Sequence, residues 1–215
     1  MQSSGFDSIV SSYQELAAKV LLTLHMEIRC QIIHALSHAL SPEEAPYMLE
    51  QVVKDPDPRI LNLNADLVAY EETVVRFLRE KEITFVRTGL GHLINSYLVT
   101  NAGMVKAMNS NGCGRMQLNI LVLQQNLKNI EDNVSLARAA RFYDLFTEGA
   151  EAVVREAQES KDASGGENFD YDELKTLVEL CYSEQVSSPE RGISTVAKRG
   201  MGEDLLKLSE YMWQS

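Results

Sequence analysis

Residues Gly114 to Ile130 place Met116, Ile120, Leu123, Leu127 and Ile130 at steps of four, three, four and three. That spacing sets them in one stripe along an α-helix. Leu118, Leu121 and Val122 add a second apolar flank, so roughly half the circumference can take neighbours. The polar positions between them are mostly amides: Gln117, Asn119, Gln124, Gln125, Asn126 and Asn129. Amides tolerate burial when each finds hydrogen-bond partners, whereas unpaired charges do not. The stretch is predicted to be a central helix with other helices packed on more than one face.

The same three-four spacing runs through most of the chain. Phe6, Ile9, Tyr13, Leu16, Val20, Leu24, Ile28, Ile32, Leu36 and Leu40 form a nearly continuous stripe. Unbroken, that helix spans ~50 Å at 1.5 Å per residue. Ser41-Pro42 ends it, a short helix is expected to about Val53, and Asp55-Pro-Asp-Pro58 forms an ordered corner, because each proline restricts itself and its predecessor. Further helices are expected from about Leu61 to Lys81 and from Ile83 to Met108. Gly89 and Gly91 are expected to be tolerated inside the second where a neighbouring helix comes close. Asn109 to Gly114 reads as a turn. After a corner at Glu131–Asn133, Leu136 to Ala157 repeats the central pattern, so these two helices are expected to pair antiparallel. Phe169 to Tyr182 and Ile193 to Trp213 are amphipathic, and Gly200 with Gly202 is expected to divide the last.

No segment alternates with period two, so no sheet is expected. The predicted fold class is all-α, an elongated stack of antiparallel helical bundles with about seven or eight helices. Residues 1–5 read as an irregular start, residues 6–159 as the main bundle, residues 160–168 as a mobile loop and hinge, and residues 169–215 as helices closing the rod.

Charge and cysteine usage exclude several function classes. The net charge of −11 opposes nucleic acid, which is bound by neutralising phosphates. It also argues against direct membrane binding, as no long basic run is present. The three cysteines, Cys30, Cys113 and Cys181, are widely separated. They make neither a disulfide framework nor a zinc pattern, which suits a reducing, intracellular setting.

Candidate chemistry is sparse. His34 and His38 lie four apart, as helical metal ligands do, but Ala35 stands where a zinc protease needs glutamate. Glu27 or Glu44 would have to supply a third ligand. His25 and His92 read as core-edge histidines bonded to a carbonyl or carboxylate, and pairing of either with Cys30 or Cys113 has no support in the spacing. No Gly-x-Ser-x-Gly turn occurs. Gly112 and Gly114 lack the strand before them and the Lys-Ser/Thr after them that a phosphate loop needs. No catalytic, cofactor or metal residue is therefore assigned. Tyr211, Met212 and Trp213 are read as closing the last bundle, with an aromatic anchor for a partner as the alternative.

Three ordered stretches carry a family resemblance. Ile120-Leu-Val-Leu-Gln-Gln-Asn-Leu-Lys-Asn-Ile130, Leu21-Leu-Thr-Leu-His-Met-Glu-Ile-Arg29 and Gly89-Leu-Gly-His-Leu-Ile94 resemble the C-terminal region of exocyst complex component 4. The resemblance runs from about Phe6 to Leu208. It implies a helical rod of the kind shared by multisubunit tethering complexes, non-enzymatic and without a cofactor. It also implies a role in tethering secretory vesicles to the plasma membrane, in the cytoplasm at sites of polarised exocytosis. Other exocyst subunits are the implied partners, with a small GTPase or a vesicle-associated protein as further candidates. The resemblance further implies that core assembly runs mainly through long coiled segments upstream of this region. A free-standing adaptor with a peptide groove and a His34/His38 metal-binding domain are the alternative readings.

Overall fold

In a computed structural model the described residues are 3–43, 46–131, 133–162 and 168–213. They form helices α1 (Ser3–Leu40), α2 (Pro58–Val74), α3 (Glu80–Arg87), α4 (Leu90–Thr100), α5 (Ser110–Leu127), α6 (Ala137–Glu148), α7 (Ala150–Asp162), α8 (Tyr171–Val186) and α9 (Arg191–Trp213). Short 3-10 turns cover Val75–Phe77 and Ala102–Val105. The chain is an all-α helical bundle, and among the described residues its one β-type pairing is an isolated bridge between Tyr47 and Met108.

The central helix is α5. Met116, Ile120, Leu123, Leu127 and the following Ile130 are all buried, as their spacing requires. Neighbours lie on several sides: α2, α4 and α6 all pack against it. Its amides bond to loops and to α2. Asn119 accepts from Asp57 N at 2.8 Å, and Asn126 donates to Asn64 Oδ1 at 3.2 Å. Gln124 donates to Val134 O at 3.0 Å and accepts from Leu136 N. The pairing with α6 is antiparallel: Cys113 meets Tyr143 and Thr147, Gln117 meets Asp144, and Gln124 meets Leu136.

The region between α1 and α2 departs from expectation. No helix forms among the described residues between Pro42 and Val53. Tyr47 is instead drawn into the core, where its hydroxyl donates to Ala39 O at 2.9 Å and Arg115 lies 4.6 Å above its ring. Burial pushes its phenol well above the usual tyrosine range. The backbone N–H and C=O of Leu49 are taken by two asparagines. Asn109 donates to Leu49 O at 2.8 Å and accepts from Leu49 N, and Asn111 donates to Leu49 O. The corner at Asp55–Pro58 then starts α2: Asp57 Oδ1 accepts from Arg59 N at 2.9 Å, with Pro58 at the first helical position, where its missing N–H is not needed.

Glycines account for the other differences. The run expected as one helix from Ile83 to Met108 is α3, α4 and a 3-10 turn, broken at Gly89, whose φ is +84°. Gly91 stays helical, but the close neighbour is the loop residue Val134 rather than another helix. Gly149, with φ +97°, divides the Leu136–Ala157 run into α6 and α7. The helix expected from Leu61 to Lys81 ends at Val74, and α9 runs straight through Gly200 and Gly202. Helix α5 begins at Ser110, so the expected turn at Asn109–Gly114 is helical after its cap, Asn109 Oδ1 accepting from Gly112 N at 2.9 Å. Helix α7 continues to Asp162, into the stretch expected as a loop from Ser160. Residues 163–167 of that expected hinge lie outside the described residues, as does Asp132 of the Glu131–Asn133 corner.

Gly112 sits against the backbone of Tyr47, where an added Cβ would overlap the Tyr47 carbonyl. Gly112→Ala is expected to lower stability by about 1–3 kcal/mol, the range for overfilled cores. Gly114→Ala, two residues on, where an added Cβ would meet nothing within 4 Å, is expected to raise it by up to about 1 kcal/mol. Thermal unfolding of the pair checks both signs.

Candidate interaction surface

The residues singled out for chemistry do not converge. His34 and His38 stack edge to face with ring centroids 4.4 Å apart. Glu44 lies outside the described residues, and among those described no three His, Cys, Asp or Glu side chains are grouped as metal ligands. His25 faces away from both, its Nδ1 3.0 Å from Phe85 O and its ring stacked on Phe85 at 4.6 Å, in the edge position expected for it. His92 is exposed on α4, not at the core edge.

Two of the three thiols are locked in packing. Cys113 is buried, with Sγ 3.3 Å from Tyr143 O, and burial pushes its thiol up to about 11. Cys181 is pushed up to about 12 by the same cause. Both stay protonated at neutral pH, which removes the nucleophilic thiolate. Cys30 is exposed. Titration of the native protein with a maleimide at pH 7 is expected to modify Cys30 within minutes and to reach Cys113 and Cys181 only on unfolding.

Charged side chains inside the bundle serve as struts. Glu131 accepts from Gly89 N at 2.7 Å and from Gly91 N at 3.0 Å, neutralising the positive end of α4. Arg29 on α1 donates to His25 O, Val86 O and Thr88 O and so closes the C-terminal end of α3. Arg138 on α6 pairs with the buried Glu173 on α8 at 2.6 Å and lies 4.9 Å over the Phe169 ring. None of these groups faces a cleft with a second reactive partner.

Exposed apolar surface is the more informative feature. On α1 the stripe changes character midway. Ile28, Ile32, Leu36 and Leu40 are buried, whereas Phe6, Ile9, Tyr13, Leu16 and Val20 expose 69, 58, 70, 57 and 51% of their area. Beside them an open groove of about 330 Å³ runs between α1 and Leu78, with Tyr13, Leu16, Val20, Leu21 and Leu24 along its wall. A second groove of about 450 Å³ lies between α5 and α6, floored by Ile120, Leu121, Leu136 and Ala140 and rimmed by Lys128 and Asp144. At the C-terminal end Tyr211 and Met212 pack against the core. Trp213 is 72% exposed and touches Tyr171 edge-on, with centroids 6.1 Å apart. Helical periodicity identified all these apolar faces, but periodicity alone could not tell the covered half of α1 from the bare half.

Fold and surface together define a helical-bundle protein whose notable open features are apolar grooves and stripes, with no assembled reactive centre among the described residues. No helix among them is long and apolar enough to cross a membrane. Comparison with known proteins narrows this class. No family profile matches the chain. It is 51% identical over 98% of its length to the "Probable exocyst complex component sec8" of Neurospora crassa, covering 22% of that protein. It is 30% identical over 68% of its length to exocyst complex component 4 of Homo sapiens, covering 15% of that protein. Exocyst complex component sec8 of Schizosaccharomyces pombe is 26% identical over 72% of the chain. The chain belongs to the exocyst complex component 4 family, and spans about a fifth or less of the length of these relatives.

Proposed function

We propose that this chain is a non-enzymatic scaffold segment of an exocyst subunit. It acts through protein–protein contacts in the tethering of secretory vesicles to the plasma membrane during polarised exocytosis. The observation that carries the reading is the 51% identity across 98% of the chain to an exocyst component. Other exocyst subunits are the partners, and the work is done in the cytoplasm, peripheral to the membrane. A small GTPase or a vesicle-associated protein is a further candidate partner. The net charge of −11 supports contacts with proteins over direct contact with an anionic membrane.

The bundle suits a mechanical role. Its helices are tied by buried polar links between distant segments, such as Asn95 to Ser135 and Ala139, Tyr143 to Leu98, and Ser183 to Met108. Such links tie α4 to α6, and α8 to the loop before α5, and satisfied buried networks of this kind rigidify a bundle. The groove between α5 and α6 favours one second reading, a free-standing adaptor that holds a peptide helix.

The test is deletion of the segment encoding residues 1–215 from the parent gene, followed by electron microscopy of secretory vesicles and purification of the complex. Vesicles accumulating near the plasma membrane with the other subunits still assembled is the result expected of a tethering scaffold. Accumulation with loss of the complex would make the segment an assembly element. Normal vesicle number and secretion would remove the tethering reading in favour of the adaptor.

A further inference from the structure

We propose that Ser188, in the turn between α8 and α9, is a phosphorylation site for a proline-directed serine kinase that also reads the basic side chain of Arg191. The site does not depend on the scaffold reading.

Of the five prolines in the chain, Pro42 and Pro189 follow a serine. Kinases of this class hold the residue after the serine where a backbone N–H would be left unpaired, so proline, which has none, is favoured there. They also favour a cation two positions beyond the proline, where carboxylates receive it. Ser188-Pro-Glu-Arg191 meets both requirements, whereas Ser41-Pro-Glu-Glu44 meets the first and presents an acid at the second.

The fold presents the favoured motif to solvent. Helix α8 ends at Val186 and α9 begins at Arg191. Between them the chain is irregular, with Ser187, Pro189 and Glu190 exposed and Ser188 half-buried. Ser188 Oγ accepts from Glu190 N at 3.3 Å, a long contact that does not use the hydroxyl proton. A kinase takes its substrate extended, so the first turn of α9 has to open. Arg191, Gly192, Ile193, Thr195 and Val196 are exposed, and Ala197 is the first buried residue of α9. Gly192 is a poor helix former, and Ser194 holds the turn to α8 by donating from Oγ to Val186 O at 2.9 Å. A segment with so few buried contacts opens locally while the rest of the bundle stays folded.

In the transfer the bond between the β- and γ-phosphates of ATP breaks and the γ-phosphorus bonds to Ser188 Oγ. The hydroxyl proton passes to the kinase's catalytic carboxylate, and ADP leaves. The phosphate adds a charge of about −1.5 to −2. It lands at the head of residues 191–199, which hold Arg191, Lys198 and Arg199 and no acid. The same stretch exposes Ile193 and Val196 by 44 and 73%. In a chain of net charge −11 this is a locally basic and apolar face, and the phosphate cancels much of its positive charge. The modification changes what the start of α9 attracts and leaves the core as it is.

The test incubates the purified complex containing the full-length parent with ATP, Mg²⁺ and a cyclin-dependent kinase, and maps phosphopeptides by mass spectrometry. Ser188 is expected to be labelled and Ser41 to stay unlabelled. Pro189→Ala is expected to abolish labelling of Ser188. Arg191→Ala is expected to slow it about tenfold, the effect of losing one charge-assisted hydrogen bond to the kinase. The same peptide from the parent isolated out of growing cells, with phosphatases inhibited, is expected to carry the mark. Absence of phosphate from Ser188 in either preparation, while other Ser-Pro sites of the complex are labelled, would overturn the proposal. So would labelling that is indifferent to both Pro189 and Arg191.

Discussion

Arg138→Met is expected to lower the stability of the 215-residue chain by about 3–5 kcal/mol, the usual consequence of removing one partner from a buried ion pair. The carboxylate of Glu173 is only 7% exposed. It accepts from Arg138 at 2.6 Å and from Asp170 N at 2.9 Å, with Thr100 Oγ1 at 3.5 Å. Glu173 therefore has two duties: it completes the capping box of α8, and it pins that helix to α6. Without the guanidinium, one negative charge remains in a site only 7% exposed. Methionine keeps much of the aliphatic volume, so the loss reports on charge more than on packing. Urea unfolding should show the midpoint falling without a change in slope. The double variant Arg138→Met/Glu173→Met should recover much of the loss, because no charge is then stranded.

Phe142→Ala is expected to cost about 3–5 kcal/mol, as truncation of buried aromatics does. Phe142 is completely buried, edge-on to Tyr143 at 5.2 Å and to Phe169 at 5.5 Å. Phe169 is in turn the ring beneath Arg138. The residues share one packed cluster where α6 meets the start of α8, so the effects of Phe142→Ala and Arg138→Met should not add. A combined variant that loses less than the sum of the two would show that both substitutions loosen the same contact. Differential calorimetry on the single and double variants measures this directly.

Much of the fold was legible because helical periodicity reports burial in a bundle. The α5 stripe from Met116 to Ile130 is buried at every expected position, whereas of its amides only Asn119 is buried, Gln117, Gln124 and Asn126 are half-buried, and Gln125 and Asn129 are exposed. The unread parts depend on partners far away in sequence. In the irregular stretch 46–57 the backbone of Leu49 and of Asp57 is paired by Asn109, Asn111 and Asn119 from about sixty positions on, which no local pattern reveals. Glycine was ambiguous for a similar reason. Gly89 and Gly149 adopt positive φ and break helices, whereas Gly112 and Gly200 remain helical against Tyr47 and Tyr182. Whether a glycine turns the chain or admits a neighbour is decided by what lies beside it.

The candidate surface was half legible. The sequence marks the apolar face of α1 from Phe6 to Leu40 without a break, and only the packing of α2, α3 and α4 against its second half divides it. Trp213 shows the same limit: Tyr211 and Met212 turn inward while the indole one residue on stays in water. Sequence spacing says which side chains share a face, and tertiary neighbours say which faces remain available to a partner.

The most direct test of the scaffold account is cross-linking mass spectrometry on the intact complex purified through the full-length parent. Lysines on the open faces of this bundle, such as Lys128 at the rim of the α5–α6 groove and Lys198 on α9, provide the reporters. The account predicts reproducible links from these lysines to other exocyst subunits. Links confined to the parent polypeptide, in a preparation whose subunits otherwise cross-link to one another, would contradict it.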